Sequence, residues 1–174
     1  DSLAASLSIT DARRQAVASA LDPRLSDLEG RSRVDVSGRI LWQAAQGHNI
    51  DLEHRVGREE RWANAIEKSG RRRLYESDTG VDRDHSSLTW TADWSASGNL
   101  AREINTTIRL YRTRLEMTNA RTNGVAALRP NTLDDRVVEA VLAVQPAKAH
   151  AVTAGVEARE ERLDDGQFQV ERTQ

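Results

Sequence analysis

The run Leu100-Ala101-Arg102-Glu103-Ile104-Asn105-Thr106-Thr107-Ile108-Arg109-Leu110-Tyr111-Arg112-Thr113-Arg114-Leu115-Glu116-Met117 is the longest patterned stretch of the chain. Leu100, Ile104, Ile108, Tyr111 and Leu115 step by four, four, three and four residues, and Asn99 stands where a helix cap belongs. That spacing predicts an amphipathic helix over 100–120, the organising element of the fold. Leu110 and Met117 are seven residues apart, which on a helix gives a second, narrower stripe with Arg114 and Arg121 beside it. Apolar contact flanked by Arg suits a protein interface, so Leu110, Met117, Arg114 and Arg121 are the expected interface residues.

Working outward, helical signals recur. Ser8 to Asp11 supplies cap residues for a helix to Leu21, stopped by Asp22-Pro23. Leu52, Val56, Ala63 and Ile66 fall on one helical face, with Gly70 as the terminator. Thr132 with Asp135 opens a helix through Val137, Val138, Val141 and Leu142 to Pro146, and Val152, Val156 and Leu163 suggest one more. Residues 33–42 fit either a strand, from the alternation Arg33-Val34-Asp35-Val36, or a helix start after Gly38. Leu88, Trp90, Ala92 and Trp94 recur at every second position, which predicts a β-hairpin over about 71–94 with both Trp turned to the core. The expected fold is therefore mainly α: one helical domain over 1–174, four to six helices with an inserted hairpin and a polar tail over about 164–174.

Composition sets the outer bounds. The 174 residues suit one domain. Ile, Leu, Val and Phe number 36, so the core should be thin, and 23 Ala favour close helix packing. The net charge of −2 gives no general attraction to polyanions, so nucleic acid is not an expected partner. Basic residues are 23 Arg against two Lys, a skew typical of a GC-rich genome, bacterial or phage. Absence of Cys excludes disulfides and thiolate chemistry and leaves the compartment open. The longest near-apolar stretch, Val137–Val144, is interrupted by Glu139 and is too short for a spanning helix, so no membrane insertion by this segment is expected.

Candidate chemistry is weak throughout. Asp78-Thr79-Gly80 carries the aspartic-protease triplet without apolar strand flanks, which favours a turn. Glu76, Asp78, Asp82, Asp84 and His85 lack the order of a calcium loop. His48 and His54 sit six residues apart beside Asp51 and Glu53, out of phase on a helix. No metal and no cofactor is expected. Glu59 lies on the apolar face of its predicted helix, and Arg55, four residues earlier, makes a rim ion pair the natural account. Arg71, Arg72 and Arg73, with Arg102, Arg109 and Arg112, are the candidate anion-binding residues. The leading expectation is a non-enzymatic structural or protein-interaction module that self-associates or joins a larger assembly. The alternatives are an extracytoplasmic helical bundle sensing a small anion and an Arg-mediated nucleic-acid binder; an enzyme ranks below these.

Overall fold

A computed structural model of the chain describes residues 2–66, 74–97, 103–122, 130–147, 149–165 and 168–173. Among them there is no α-helix; the expected bundle is replaced by ten β-strands and one 3-10 turn at Trp94–Ser97. The strands are β1 (Ser2–Arg14), β2 (Val17–Ala18), β3 (Ser26–Leu28), β4 (Gly30–Ala45), β5 (His48–Ile66), β6 (Leu74–Asp93), β7 (Glu103–Thr122), β8 (Asn131–Ala147), β9 (His150–Asp165) and β10 (Phe168–Thr173). Eight form one sheet in the order β1-β4-β5-β6-β7-β8-β9-β10, every neighbouring pair antiparallel. From β4 onward each strand pairs with its successor in sequence, so the sheet is an up-and-down meander. Between β1 and β4 the chain makes a small excursion in which β2 pairs β3 around the Asp22–Leu25 turn.

The predicted organising helix is β7, a 20-residue strand. A step of four residues is also two strand repeats, so Ile104 and Ile108 satisfy both geometries. Tyr111 and Leu115 do not: their odd positions place them on the opposite face from Ile104 and Ile108, and Leu100 lies outside the described residues. Five Thr and two Ile within Glu103–Thr122 favour the extended backbone. Residues 48–66 and 131–147, also predicted helical, are strands for the same reason, Val137, Val138, Val141 and Val144 being β-branched. Of the two readings open for 33–42 the strand forms. The expected hairpin over 71–94 is, from Leu74 on, one uninterrupted strand, and Asp78-Thr79-Gly80 lies inside it instead of at a turn.

Turns are short where they are described. Gln46-Gly47 joins β4 to β5, with Gly47 at φ 76°, a left-handed conformation that a two-residue hairpin loop takes readily with Gly. At Gly30 the requirement is space and not backbone freedom. A Cβ there would collide with the indole of Trp62, its cross-strand partner.

The sheet is one layer thick, and its two faces differ. Partners across the ladder share a face, so the register gives one row of Leu3, Trp42, Ile50, Trp90, Ile108, Ala140 and Val156. Two residues along, Ala5, Ile40, Leu52, Leu88, Leu110, Val138 and Ala158 form the next row on that face. The intervening row on the other face is Ala4, Leu41, Asp51, Thr89, Arg109, Glu139 and Glu157. Trp90 and Trp94 share a side with Leu88 and Ala92 as the alternation requires, yet of these four only Ala92 is buried; Leu88 and Trp94 are 37% and 36% exposed. On the polar face Glu59, Val81, Asp135 and Val137 are buried.

The amide I band should accordingly show antiparallel sheet with no helical component above a few per cent. Gly30→Ala should lower stability by about 1–3 kcal/mol through displacement of the Trp62 ring, read from the shift of a urea midpoint at unchanged slope.

Candidate functional site: an apolar band and a charged face

The apolar face has a definite shape. Its aliphatic and aromatic positions are Leu3 to Ile9 in β1, Val34 to Trp42 in β4, Ile50 to Val56 in β5 and Leu88 to Trp94 in β6. The band continues through Ile104 to Leu110 in β7, Val138 to Val144 in β8 and Val152 to Ala158 in β9. Each strand thus contributes seven to nine residues, roughly 20–27 Å at about 3.4 Å per residue. The band does not follow one row of the ladder. In β1 it reaches the row of Ile9, Val36 and Val56, whose continuation is Asp84, Arg114 and Asp134; in β9 it lies at the other end, around Val152. Apolar positions are therefore contiguous only along a line oblique to the hydrogen bonds, as in strands tilted against a slab.

Among the described residues, much of this band is covered by no other element. Leu3, Leu7 and Ile9 are 71%, 72% and 68% exposed, and Val156 is 68% exposed. At the end of the band near the Gln46-Gly47 turn, Trp42, Trp90 and Trp94 gather. His48 stacks on Trp90 with ring centroids 5.8 Å apart and meets the edge of Trp94 at 5.2 Å. Trp94 Nε1 donates to Thr106 Oγ1 at 3.0 Å. At the opposite end the same face becomes charged: Arg112 Nη2 donates to Asp134 Oδ2 at 2.5 Å and Arg136 Nε to Asp134 Oδ1 at 3.2 Å.

The other face is laced with ion pairs along its length. Arg39 binds Asp51 through two bonds of 2.9 and 2.6 Å, Arg159 binds Asp135 at 2.8 and 3.0 Å, and Arg109 reaches Glu139 at 3.2 Å. Its densest point is Glu59, in the part of β5 beyond the apolar band, whose side chain has no exposed surface. Arg61 Nε donates to Glu59 Oε1 at 2.5 Å, Arg31 Nη2 to Oε2 at 3.1 Å and Arg83 Nη1 to Oε2 at 3.2 Å; Arg31 Nε lies 2.9 Å from Oε1. Burial alone would push this carboxyl up, but the hydrogen bonds and charges of Arg61 and Arg31 outweigh it and bring the pKa from 4.5 down to about 2.

The residues singled out by sequence are dispersed. Leu110 is 40% exposed on the apolar face, whereas Met117 is on the polar face opposite Val81 and Asn131, since an interval of seven reverses sides in a strand. The helical interface stripe therefore does not exist. Arg114 pairs with Glu116 at 3.5 Å, and Arg121 pairs by its backbone with Ser77, its side chain lying outside the described residues. Arg71, Arg72, Arg73 and Arg102 are outside the described residues as well. Arg109 and Arg112 point to opposite faces and each holds an acid. Arg55 binds Glu53 and not Glu59. His48 and His54 share a face about 20 Å apart along β5. Among the described residues no three metal-ligating side chains converge, and no helix is long and apolar enough to cross a membrane. Sequence reasoning missed Arg31, Arg61 and Arg83 around Glu59, which only the register of three strands brings together. No protein family, no curated protein and no solved structure matches this chain.

Glu59 has a lower pKa folded than unfolded, so its contribution is whole above about pH 4.5 and lost as pH falls toward 2. Glu59→Gln should destabilise the fold by about 2–4 kcal/mol at pH 7 by leaving three guanidinium groups without their shared counterion. The gap between the two proteins should narrow between pH 4.5 and 2 in denaturant titrations.

Proposed function

We propose that this sheet is part of the wall of a membrane-spanning β-barrel of the outer-membrane type, its apolar face against lipid and its charged face toward an aqueous interior. The observation that carries the proposal is the division of the faces: apolar on one and polar, with ion pairs, on the other, alternating residue by residue along the seven to nine positions that each of seven strands gives to the band. A water-exposed antiparallel sheet packs its apolar face on a second layer. Here the apolar face has no such layer among the described residues and is limited to a band near the ≈ 25 Å height of barrel walls. Trp42, Trp90 and Trp94 at one border have the amphipathic rings that settle at headgroup depth. The up-and-down topology and the oblique course of the band agree with tilted barrel strands.

The expectation of no membrane insertion rested on the want of a spanning helix, and among the described residues no helix is long and apolar enough to cross; the strands support the opposite reading, because alternation halves the apolar content and a wall strand passes unnoticed in a hydropathy window. Backbone groups cannot stay unpaired in hydrocarbon, so the edges β1 and β10 must be continued by further strands until the wall closes. The structural, assembly-forming role expected from sequence is kept in this form, with lipid and neighbouring strands as the partners. The helical sensing bundle is not retained, and the net charge of −2 gives a polyanion such as nucleic acid no general attraction.

The full chain folded into vesicles with brominated acyl chains should show strong quenching of Trp fluorescence. Absence of quenching, with a monomer that stays folded in detergent-free buffer, would overturn the proposal. Ile108→Arg on the lipid side should cost about 2–4 kcal/mol of stability in the bilayer. Thr107→Arg, one residue away on the other face, should change it by no more than about 0.5 kcal/mol.

A further inference from the structure

On the polar face β1, β4 and β5 bring an unusual row together. Arg14 stands opposite Arg31 and Arg31 opposite Arg61, three like charges in direct cross-strand register. Such an arrangement opposes sheet formation unless negative charge lies among the groups. Glu59, one row along, supplies part of it. Arg33 lies beside Glu59 in that row, and Arg83 and Arg55 face the same side in the next two rows. Six Arg thus surround two acids, Glu59 and Asp35. When Glu29 and Glu53, the partners of Arg61 and Arg55, are added, two positive charges remain in excess.

The donors are also in surplus. Each guanidinium carries five N–H groups, and Glu59 accepts only one hydrogen bond each from Arg31, Arg61 and Arg83, Arg31 Nε lying buried beside it without a hydrogen-bond partner. Arg14 gives its Nε to the Glu29 carbonyl at 3.2 Å. Arg31 and Arg33 are 37% and 39% exposed, beside a hollow of ≈ 570 Å³ lined by Ser8, Thr10, Arg14, Arg31, Arg33 and Arg55, with Asp35 the acid among its described lining residues.

We infer that this hollow is a binding site for a small multivalent oxyanion, phosphate- or carboxylate-bearing, held by the unspent donors of Arg14, Arg31 and Arg33 with Ser8 and Thr10 at its margin. Buried Glu59 is the fixed counterion that lets the guanidinium groups assemble, and the anion neutralises the excess. Guanidinium forks suit two-oxygen recognition of either group. Rings of Arg are also how aqueous pores select anions. The site rests on the barrel reading only for its setting, since in that reading it lies on the wet side of the wall.

Calorimetry on the full chain in micelles, with inorganic pyrophosphate and citrate as probes and chloride as background, tests the site. Saturable one-to-one binding of either probe is expected, weakened at least tenfold in the double variant Arg14→Gln with Arg33→Gln, neither of which bonds Glu59. Arg109→Gln, on the same face but paired with Glu139, should bind as the unaltered chain does. No saturable heat from either probe, or equal affinity in all three proteins, overturns the site. Trp quenching by brominated lipid, read on the same three proteins, separates the two ideas. Anion binding without quenching leaves the site standing and removes the membrane; quenching without anion binding does the reverse.

Discussion

Among the described residues the sheet carries no second layer over its apolar face, and Val81, Ala92 and Val137 are its buried apolar side chains, so most of the apolar surface on that face is left uncovered. This constraint organises the whole molecule. Hydrogen bonding is satisfied laterally, strand to strand, in a ladder whose register runs without a shift from β5 through β6 to β7. Because side chains alternate strictly, a one-residue slip anywhere would carry Arg and Glu into the apolar band. The rows through Ile108 and Leu110 hold apolar residues on seven strands at once, and that agreement fixes the register.

The charged face obeys a second constraint. Arg residues on adjacent strands stand close to one another, and each acid is placed to separate them. Glu59 does so for Arg31, Arg61 and Arg83, Asp51 for Arg39, Asp135 for Arg159 and Glu139 for Arg109. Most of these pairs are partly exposed and individually contribute little. Glu59 differs because its carboxylate is fully buried, so its value is set by the penalty for removing it. It locks β4, β5 and β6 together where the apolar face offers least, beyond the end of the band. The same acid holds Arg31, which lines the neighbouring hollow, among the other guanidinium groups. Structure and proposed chemistry therefore meet at one side chain.

By itself the sequence determined the amount and kind of surface available: few large apolar residues, abundant Arg matched by acids, no thiols, no run able to span a bilayer as a helix. It also determined alternation where polar residues separate apolar ones cleanly, as at Leu88-Thr89-Trp90-Thr91-Ala92, and there the strand was legible. Elsewhere the spacing of four misled, because Ile104 and Ile108 recur with a period common to helix and strand, and only Tyr111 and Leu115 tell the two apart. Among the described residues only Val81, Ala92 and Val137 are buried apolar side chains, in keeping with the small number of large apolar residues. The tertiary structure alone decided which alternating face was continuous across strands, and hence that Leu110 and Met117 part company while Arg31, Arg61 and Arg83 converge on Glu59. Those residues are 22 to 52 positions apart, and what joins them is the register of backbone hydrogen bonds, which no local pattern of side chains encodes.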